Sequence, residues 1–338
     1  MTTTPETRHL SLAGAPPIPG LAVRFFADAT DYARLAELTV AANEYDEIPY
    51  LPEAHDLQVE MDAAEGLHPI DDIALVEVDG RVVAATGIER VVRGDVPTYE
   101  LWGTVDPGFR RRGLGTALMG WTLERARVRA SREDPGTPVE LGTFVEDSET
   151  GHRALIANVG FEPARHFFLM RRIGLDDIPD APLPEGVEIR PVEEDHWRTI
   201  LDAENEAFRD HWGHREMGES AYQATFGRTG LDTSLWVVAW DGDQVAGVVQ
   251  NWIWQLENER LGVKRGWLEH ISVRRPWRRR GLGRAITAAS LVKLREAGLE
   301  EAMLGVDSEN PNGALGLYED LGFVVQSRAA AYRRALSR

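Results

Sequence analysis

The chain has 338 residues, 43% of them hydrophobic and 27% charged, a balance that fits folded domains and excludes a fibre or a wholly disordered chain. Its formal net charge of −18 argues against wholesale binding to nucleic acid or anionic lipid, and the lack of cysteine removes a disulfide framework and any thiol nucleophile. No apolar run approaches the roughly 20 residues needed to span a bilayer, and Met1-Thr-Thr-Thr-Pro-Glu6 lacks the basic and apolar regions of a secretory signal, so a cytoplasmic protein without membrane partners is expected.

A polar tail, residues 1–19, leads through Ala15-Pro-Pro-Ile-Pro-Gly20 into a strand from Leu21 to Phe26. Val76-Glu-Val-Asp-Gly-Arg-Val-Val-Ala-Ala-Thr-Gly87 reads as two strands joined by a tight Asp-Gly turn. Phe109-Arg-Arg-Arg-Gly-Leu-Gly115 then follows a β-branched run and opens an amphipathic helix, and Gly160-Phe161 precedes a closing strand. The proline-rich stretch 176–186, with Ile178-Pro-Asp-Ala-Pro-Leu-Pro-Glu-Gly186, reads as a stiff linker. Beyond it the pattern repeats as Val238-Ala-Trp-Asp-Gly-Asp-Gln-Val-Ala-Gly-Val-Val249, Trp277-Arg-Arg-Arg-Gly-Leu-Gly283 and Gly322-Phe323, at offsets of 162, 168 and 162 residues. Two tandem α/β domains are expected, 20–175 and 187–338, each a mixed, mostly antiparallel sheet flanked by helices.

The doubled arginine-glycine turn has the makings of an anion cradle. Glycines let backbone N–H groups approach a ligand, a helix N-terminus carries partial positive charge, and arginines offer forked donors suited to a diphosphate. A dinucleotide-binding fingerprint would need a third glycine where Leu118 and Ile286 stand, and a Walker loop would need Gly-Lys-Ser/Thr, which is absent. Recurrence with the flanking strand and helix also speaks against glycines that merely make turns.

Glu269-His-Ile-Ser-Val-Arg-Arg-Pro-Trp-Arg-Arg-Arg-Gly-Leu-Gly-Arg-Ala285, followed by Leu304 to Phe323, resembles the two signature segments of the GNAT superfamily of acyl-CoA-dependent N-acetyltransferases. The doubling is similar to the two-domain mycothiol synthases, which acetylate a cysteinyl-glucosamine-inositol conjugate, although no residue signature singles out that substrate. The resemblance implies acetyl-CoA as acyl donor. It implies that the diphosphate lies on Arg278, Arg279, Arg280, Gly281, Leu282, Gly283 and Arg284, and that the pantetheine arm pairs like a strand with Ile271, Ser272 and Val273. It further implies that a backbone N–H of that strand polarises the thioester carbonyl and that Asn310 holds the arm. Attack by an amine needs one base and one acid. Glu269, acting through water, is the candidate base and Tyr318 the candidate acid; a solvent-facing strand glutamate and a packed tyrosine are the plain alternatives.

The halves differ at these positions. Ile156 stands where the second half has Tyr318, Ser148 where it has Asn310, and Leu101 where it has Glu269; strand alternation turns the neighbouring Glu100 to the opposite face. The first domain is therefore expected to be non-catalytic, though Arg110, Arg111, Arg112, Gly113, Leu114 and Gly115 could still hold acetyl-CoA. Glu204, Glu206, Phe208, His211, Trp212 and His214 fall in the helix-loop region that covers the acceptor in the family, and Trp252 and Trp254 follow in the hairpin; a carboxylate and aromatic lining suits a cationic small-molecule amine, the plain alternative being that Phe208 and the tryptophans are core and the charges face water. His211 and His214 alone make a weak metal signal, and no metal is expected. A non-catalytic acyl-CoA sensor or scaffold remains an alternative, as does acetylation of a protein N-terminus, a lysine or a mycothiol-precursor-like amine; the oligomeric state is not legible.

Overall fold

A computed structural model of the chain describes residues 8–214, 216–310 and 313–337. The first half runs β1 (Leu21–Phe25), α1 (Thr30–Asp46), α2 (Ala54–Ala63), α3 (Pro69–Asp72), β2 (Ile73–Val78), β3 (Arg81–Arg93), β4 (Val96–Val105), α4 (Leu114–Ala130), β5 (Glu140–Glu146), α5 (Thr150–Asn158) and β6 (Glu162–Ile173). The second runs β7 (Val187–Arg190), α6 (Trp197–Phe208), α7 (Glu219–Gly227), β8 (Val237–Asp241), β9 (Gln244–Trp252), α8 (Gln255–Leu261), β10 (Arg265–Val273), α9 (Leu282–Glu296), β11 (Glu301–Asp307), α10 (Ala314–Asp320) and β12 (Val324–Ala335). No helix among the described residues is long and apolar enough to cross a membrane.

The chain folds into two compact units, and their borders are not those of the sequence repeat. Unit 1 contains residues up to Ala164 together with Glu219–Thr229 and Ala330–Arg338, and unit 2 contains Arg165–Gly218 and Gly230–Ala329. Each unit thus takes its last strand from the other half of the sequence. In unit 1 the end of β12 lies beside β5, where Leu336 N donates to Val139 O at 2.9 Å. In unit 2, β6 pairs antiparallel with β11 from Glu301↔Ile173 to Asp307↔Phe167. The expected first domain, 20–175, runs past the end of unit 1, because strand pairing at long sequence separation leaves no local signal. The expected linker is not a free spacer either: Ile178, Ala181 and Leu183 pack against the core of unit 2. The second half also lends α7 to unit 1, where His55 Nε2 lies 2.9 Å from Gly227 O and Asp56 accepts from Thr229 N at 2.8 Å.

Within each unit the sheet is mixed. Unit 1 pairs β1, β2, β3 and β4 antiparallel and β4 with β5 parallel. Unit 2 pairs β7, β8, β9 and β10 antiparallel and β10 with β11 parallel. β9 is buried from Val245 to Trp252, which explains its near-continuous apolar sequence. α9 lays Leu282, Ala285, Ile286, Leu291 and Leu294 on that sheet, all at 2% exposure or less. Each large side chain among them contributes about 1.5–3 kcal/mol of burial. These contacts fix where the helix begins, and so place its first turn beside the end of β10.

Candidate active site

The parallel pair in unit 2 holds together only briefly. β10 and β11 are in register from Arg265↔Glu301 to Trp267↔Met303, yet β10 continues to Val273 and β11 to Asp307. The strands part, and among the described residues the β11-facing edge of β10 from Leu268 onward pairs with no strand. Its other edge stays paired with β9 as far as Val273↔Gly247. Among the described residues Ile271, Ser272 and Val273 thus lie on a strand edge with no strand beside it, where an extended ligand arm could pair. Glu269 sits at its neck. The β9 register slips between Leu268↔Asn251 and His270↔Gln250, so Glu269 is the extra residue of a β-bulge, a device that re-aims side chains beside active sites. Its exposed carboxylate accepts a hydrogen bond from Trp254 Nε1 at 3.0 Å, and Trp254 stacks on buried Trp252 with ring centroids 5.3 Å apart.

At the far end of β10 the chain makes the arginine-glycine loop. Arg279 has φ 60° and Gly281 φ 86°, and α9 starts at Leu282. A left-handed arginine costs about 1–2 kcal/mol, and strain of this kind gathers at ligand-binding loops. The N–H groups of Leu282, Gly283 and Arg284 have no acceptor inside the helix, so they and its dipole favour an anion. A Cβ added at Gly281 would meet no atom within 4 Å, so the loop faces open space. The loop offers backbone N–H groups and the exposed side chains of Arg279 and Arg280, donors of a kind that suits a diphosphate.

Arg278 behaves differently from its neighbours. Its Nε donates to Val273 O at 2.8 Å, Nη2 to Ala207 O at 2.8 Å and Nη1 to Asp210 Oδ2 at 2.6 Å. Asp210 also accepts from Arg275, and these two arginines hold its carboxyl below the usual range. The Arg278 guanidinium therefore ties the loop to the end of α6. Arg284 lies 3.6 Å from Asp320.

Tyr318 is 6% exposed in the unit 2 core, edge-on to Phe323, and burial raises the pKa of its phenol, which keeps its proton through the neutral range. Asn310 follows β11, its Nδ2 3.5 Å from His211 Nε2. Asp307, just before it, is held by Arg165 at 2.8 Å.

On the acceptor side, the aromatic and ionisable residues sort into separate roles. Glu206 pairs with Arg274 at 2.7 Å, and Trp212 packs on Phe167. Phe208 contacts both His211 and His270. Burial lowers the pKa of His211. Glu204, expected to line the acceptor site, is instead 2% exposed and accepts from Gln250 Nε2; burial pushes its carboxyl up to about 8, with the Gln250 bond acting the other way. Sequence reading missed His270 and Gln250, whose cross-strand pairing becomes visible only once the bulge fixes the register. Among the described residues, the one group of three metal-type ligands with atoms within 4.8 Å of one another is Glu193, Asp195 and His196, on the surface; His211 and His214 are not in it.

Unit 1 repeats the frame without the chemistry. β4 and β5 pair only from Thr98↔Glu140 to Glu100↔Gly142, Arg111 has φ 61° and Gly113 φ 94°, and α4 starts at Leu114, with Gly115 and exposed Arg112 alongside. Arg110 donates to Val105 O at 3.0 Å and to both oxygens of Asp46 at 2.6 and 2.7 Å, as Arg278 does to Val273 and Asp210. Leu101 and Ile156 are buried in its core, however, and Glu100 is paired with Arg93 and Arg333.

The sequence model of the Acetyltransferase (GNAT) family matches residues 35–161 and 197–323. A mycothiol acetyltransferase of Kocuria rhizophila is 30% identical over 309 residues, covering 85% of this chain and 96% of that one. One from Salinispora arenicola is 33% identical over 237 residues, covering 68% and 71%. A GCN5-related N-acetyltransferase from Sphaerobacter thermophilus superposes with a TM-score of 0.69 at 25% identity, covering 93% and 95%. A tandem GNAT protein from the clavulanic acid biosynthesis pathway shares the fold, with a TM-score of 0.65 at 18% identity over 94% of this chain and 99% of that one. The chain belongs to the acetyltransferase (GNAT) family, as an acyltransferase with two tandem GNAT domains.

Proposed function

We propose that the chain transfers an acetyl group from acetyl-CoA to the primary amine of a small molecule by direct attack, with the chemistry in the second half. The observation that carries this reading is the parting of β10 from β11 after Trp267↔Met303, with Glu269 bulged at its neck and the Gly281 loop at its end. The loop and the first turn of α9 hold the diphosphate, and Asn310 steadies the pantetheine arm. A backbone N–H among Ile271, Ser272 and Val273 stabilises the charge that develops on the thioester oxygen. Glu269 takes the proton of the acceptor through water, and Tyr318, a neutral phenol at working pH, gives one to the departing thiolate. Relatives named mycothiol acetyltransferase make a mycothiol precursor the first acceptor to try.

The test incubates the chain with acetyl-CoA and a panel of amines that includes mycothiol precursors, amino-sugars, polyamines and peptides, and reads free CoA thiol. Saturable thiol release with a small amine supports the reading. Release only with peptide N-termini or lysines moves the acceptor to proteins, and binding of acetyl-CoA without release makes the chain a sensor.

A further inference from the structure

We propose that His270 is a second proton-accepting group at the acceptor site, held in place by Glu204 as a buried positioning carboxylate. The inference deepens the proposed acetyl transfer and rests on it. Glu204, on α6, directs one oxygen to Gln250 and the other, Oε1, toward His270 Nδ1 at 3.7 Å. Oε1 is fully buried and has no hydrogen-bond partner, which is costly for a carboxyl group unless a neighbouring charge or proton compensates. The imidazole is the group placed to do so. His270 is itself 44% exposed, follows the bulged Glu269 and packs edge-on to Phe208. With Nδ1 on the Glu204 side, Nε2 lies on the far edge of the ring. A carboxylate on one ring nitrogen fixes the tautomer and stabilises the imidazolium that forms when the other takes a proton.

Glu206 is committed to Arg274, Asp210 to Arg275 and Arg278, and Asp307 to Arg165, while His211 favours its neutral form and Glu269 receives the Trp254 N–H. Burial raises the carboxyl of Glu204, so a proton shared with it is kept to higher pH than on an exposed carboxyl. Glu269 takes the first proton of the acceptor ammonium through water; once the freed amine has attacked the thioester carbon, a second N–H bond breaks, that proton bonds to His270 Nε2, and the Glu204 carboxylate offsets the imidazolium charge. The electron pair of that N–H bond stays on nitrogen and joins the amide as the thiolate leaves.

The experiment follows the His270 Cε1–H resonance, assigned by its loss in His270→Gln, through a pH titration of the full chain and of Glu204→Gln. The imidazole pKa should fall by about one pH unit when the carboxylate becomes an amide. In the thiol-release assay, His270→Gln should lower kcat/KM roughly 10- to 100-fold and remove one ionisation from its pH profile. An imidazole titration unmoved by Glu204→Gln, or a pH profile unmoved by His270→Gln, overturns the proposal. No thiol release by the unmodified chain overturns the acetyl-transfer reading itself, and the role of His270 with it, whatever the resonance does.

Discussion

The arginine-glycine loops of the two units share their left-handed backbone positions and differ in their surroundings. Both pair a left-handed arginine with a left-handed glycine, and both lock their first arginine onto an aspartate, Asp46 at the end of α1 or Asp210 just beyond the end of α6. In unit 2 the position above Gly281 is open, whereas in unit 1 Pro16 stands 3.9 Å from where a Cβ of Gly113 would lie, and Leu12, Ala15 and Ile18 pack with Leu114. At the end of β5, Glu146 is crowded by Glu149 and Asp147, and burial together with those charges pushes it up to about 7. Unit 2 has there an aspartate held by arginine. The loop alone is therefore a poor guide to chemistry: its geometry survives wherever the strand and helix need joining, and the groups around the strand gap decide what it can do.

The contrast is most exposed to a side chain placed at the two glycines. Leu at Gly281 must adopt a φ that L-residues avoid and would crowd the diphosphate, so Gly281→Leu should cut turnover to about 1% or less while circular dichroism shows a folded chain. Gly113→Leu carries the same backbone strain and should keep most of the activity. The reverse pattern would assign the chemistry to unit 1.

Next in size is the acid. Tyr318→Phe removes one hydroxyl from a packed ring and should lower kcat roughly 10- to 1000-fold, with acetyl-CoA affinity unchanged by calorimetry. Because burial raises the phenol's pKa, the wild-type rate should show no loss from Tyr318 ionisation up to about pH 9. Unchanged kcat in the phenylalanine variant would make Tyr318 a core residue only. Glu269→Gln, at the neck of the gap, should cost roughly 10- to 100-fold and flatten the rise of rate with pH, since an amide of the same shape takes no proton.

The smallest effects separate stability from catalysis. Glu146 binds its proton more tightly folded than unfolded, so between about pH 4.5 and 7 the native state holds more protons and stability falls as pH rises. Glu146→Gln should raise the melting temperature at pH 8 by a few degrees and leave kcat untouched. Asp46→Asn and Asp210→Asn should both lower the melting temperature, but only the second should raise KM for acetyl-CoA. Equal effects on KM would mean that both loops bind it.

The duplication, the hairpins, the loops and the helix starts were legible because each is a local pattern: an Asp-Gly turn, a glycine pair before an apolar period, a β-branched run. Tyr318, Asn310 and Glu269 against Ile156, Ser148 and Leu101 distinguish the halves already in sequence, and Leu101 and Ile156 are buried in the core of unit 1. The exchange of β6 and β12 was not legible, since a closing strand carries the same alternation whichever sheet it joins. Nor was the inward turn of Arg278, identical in sequence to two outward neighbours, because its direction depends on Asp210 coming close from 68 residues away. Glu204 looked like lining and is buried, and the Glu269 bulge is a one-residue register slip that only the pairing with β9 defines.

The central claim is that second-half side chains carry out acetyl transfer on a frame that both halves share, and the Glu269→Gln, Tyr318→Phe double variant tests it most directly. The measurement is transfer of labelled acetyl from acetyl-CoA to the best amine of the panel, alongside calorimetric binding of acetyl-CoA to the same chain. The account predicts transfer at background with binding as tight as in the unmodified chain; transfer within a few-fold of the unmodified rate would contradict it.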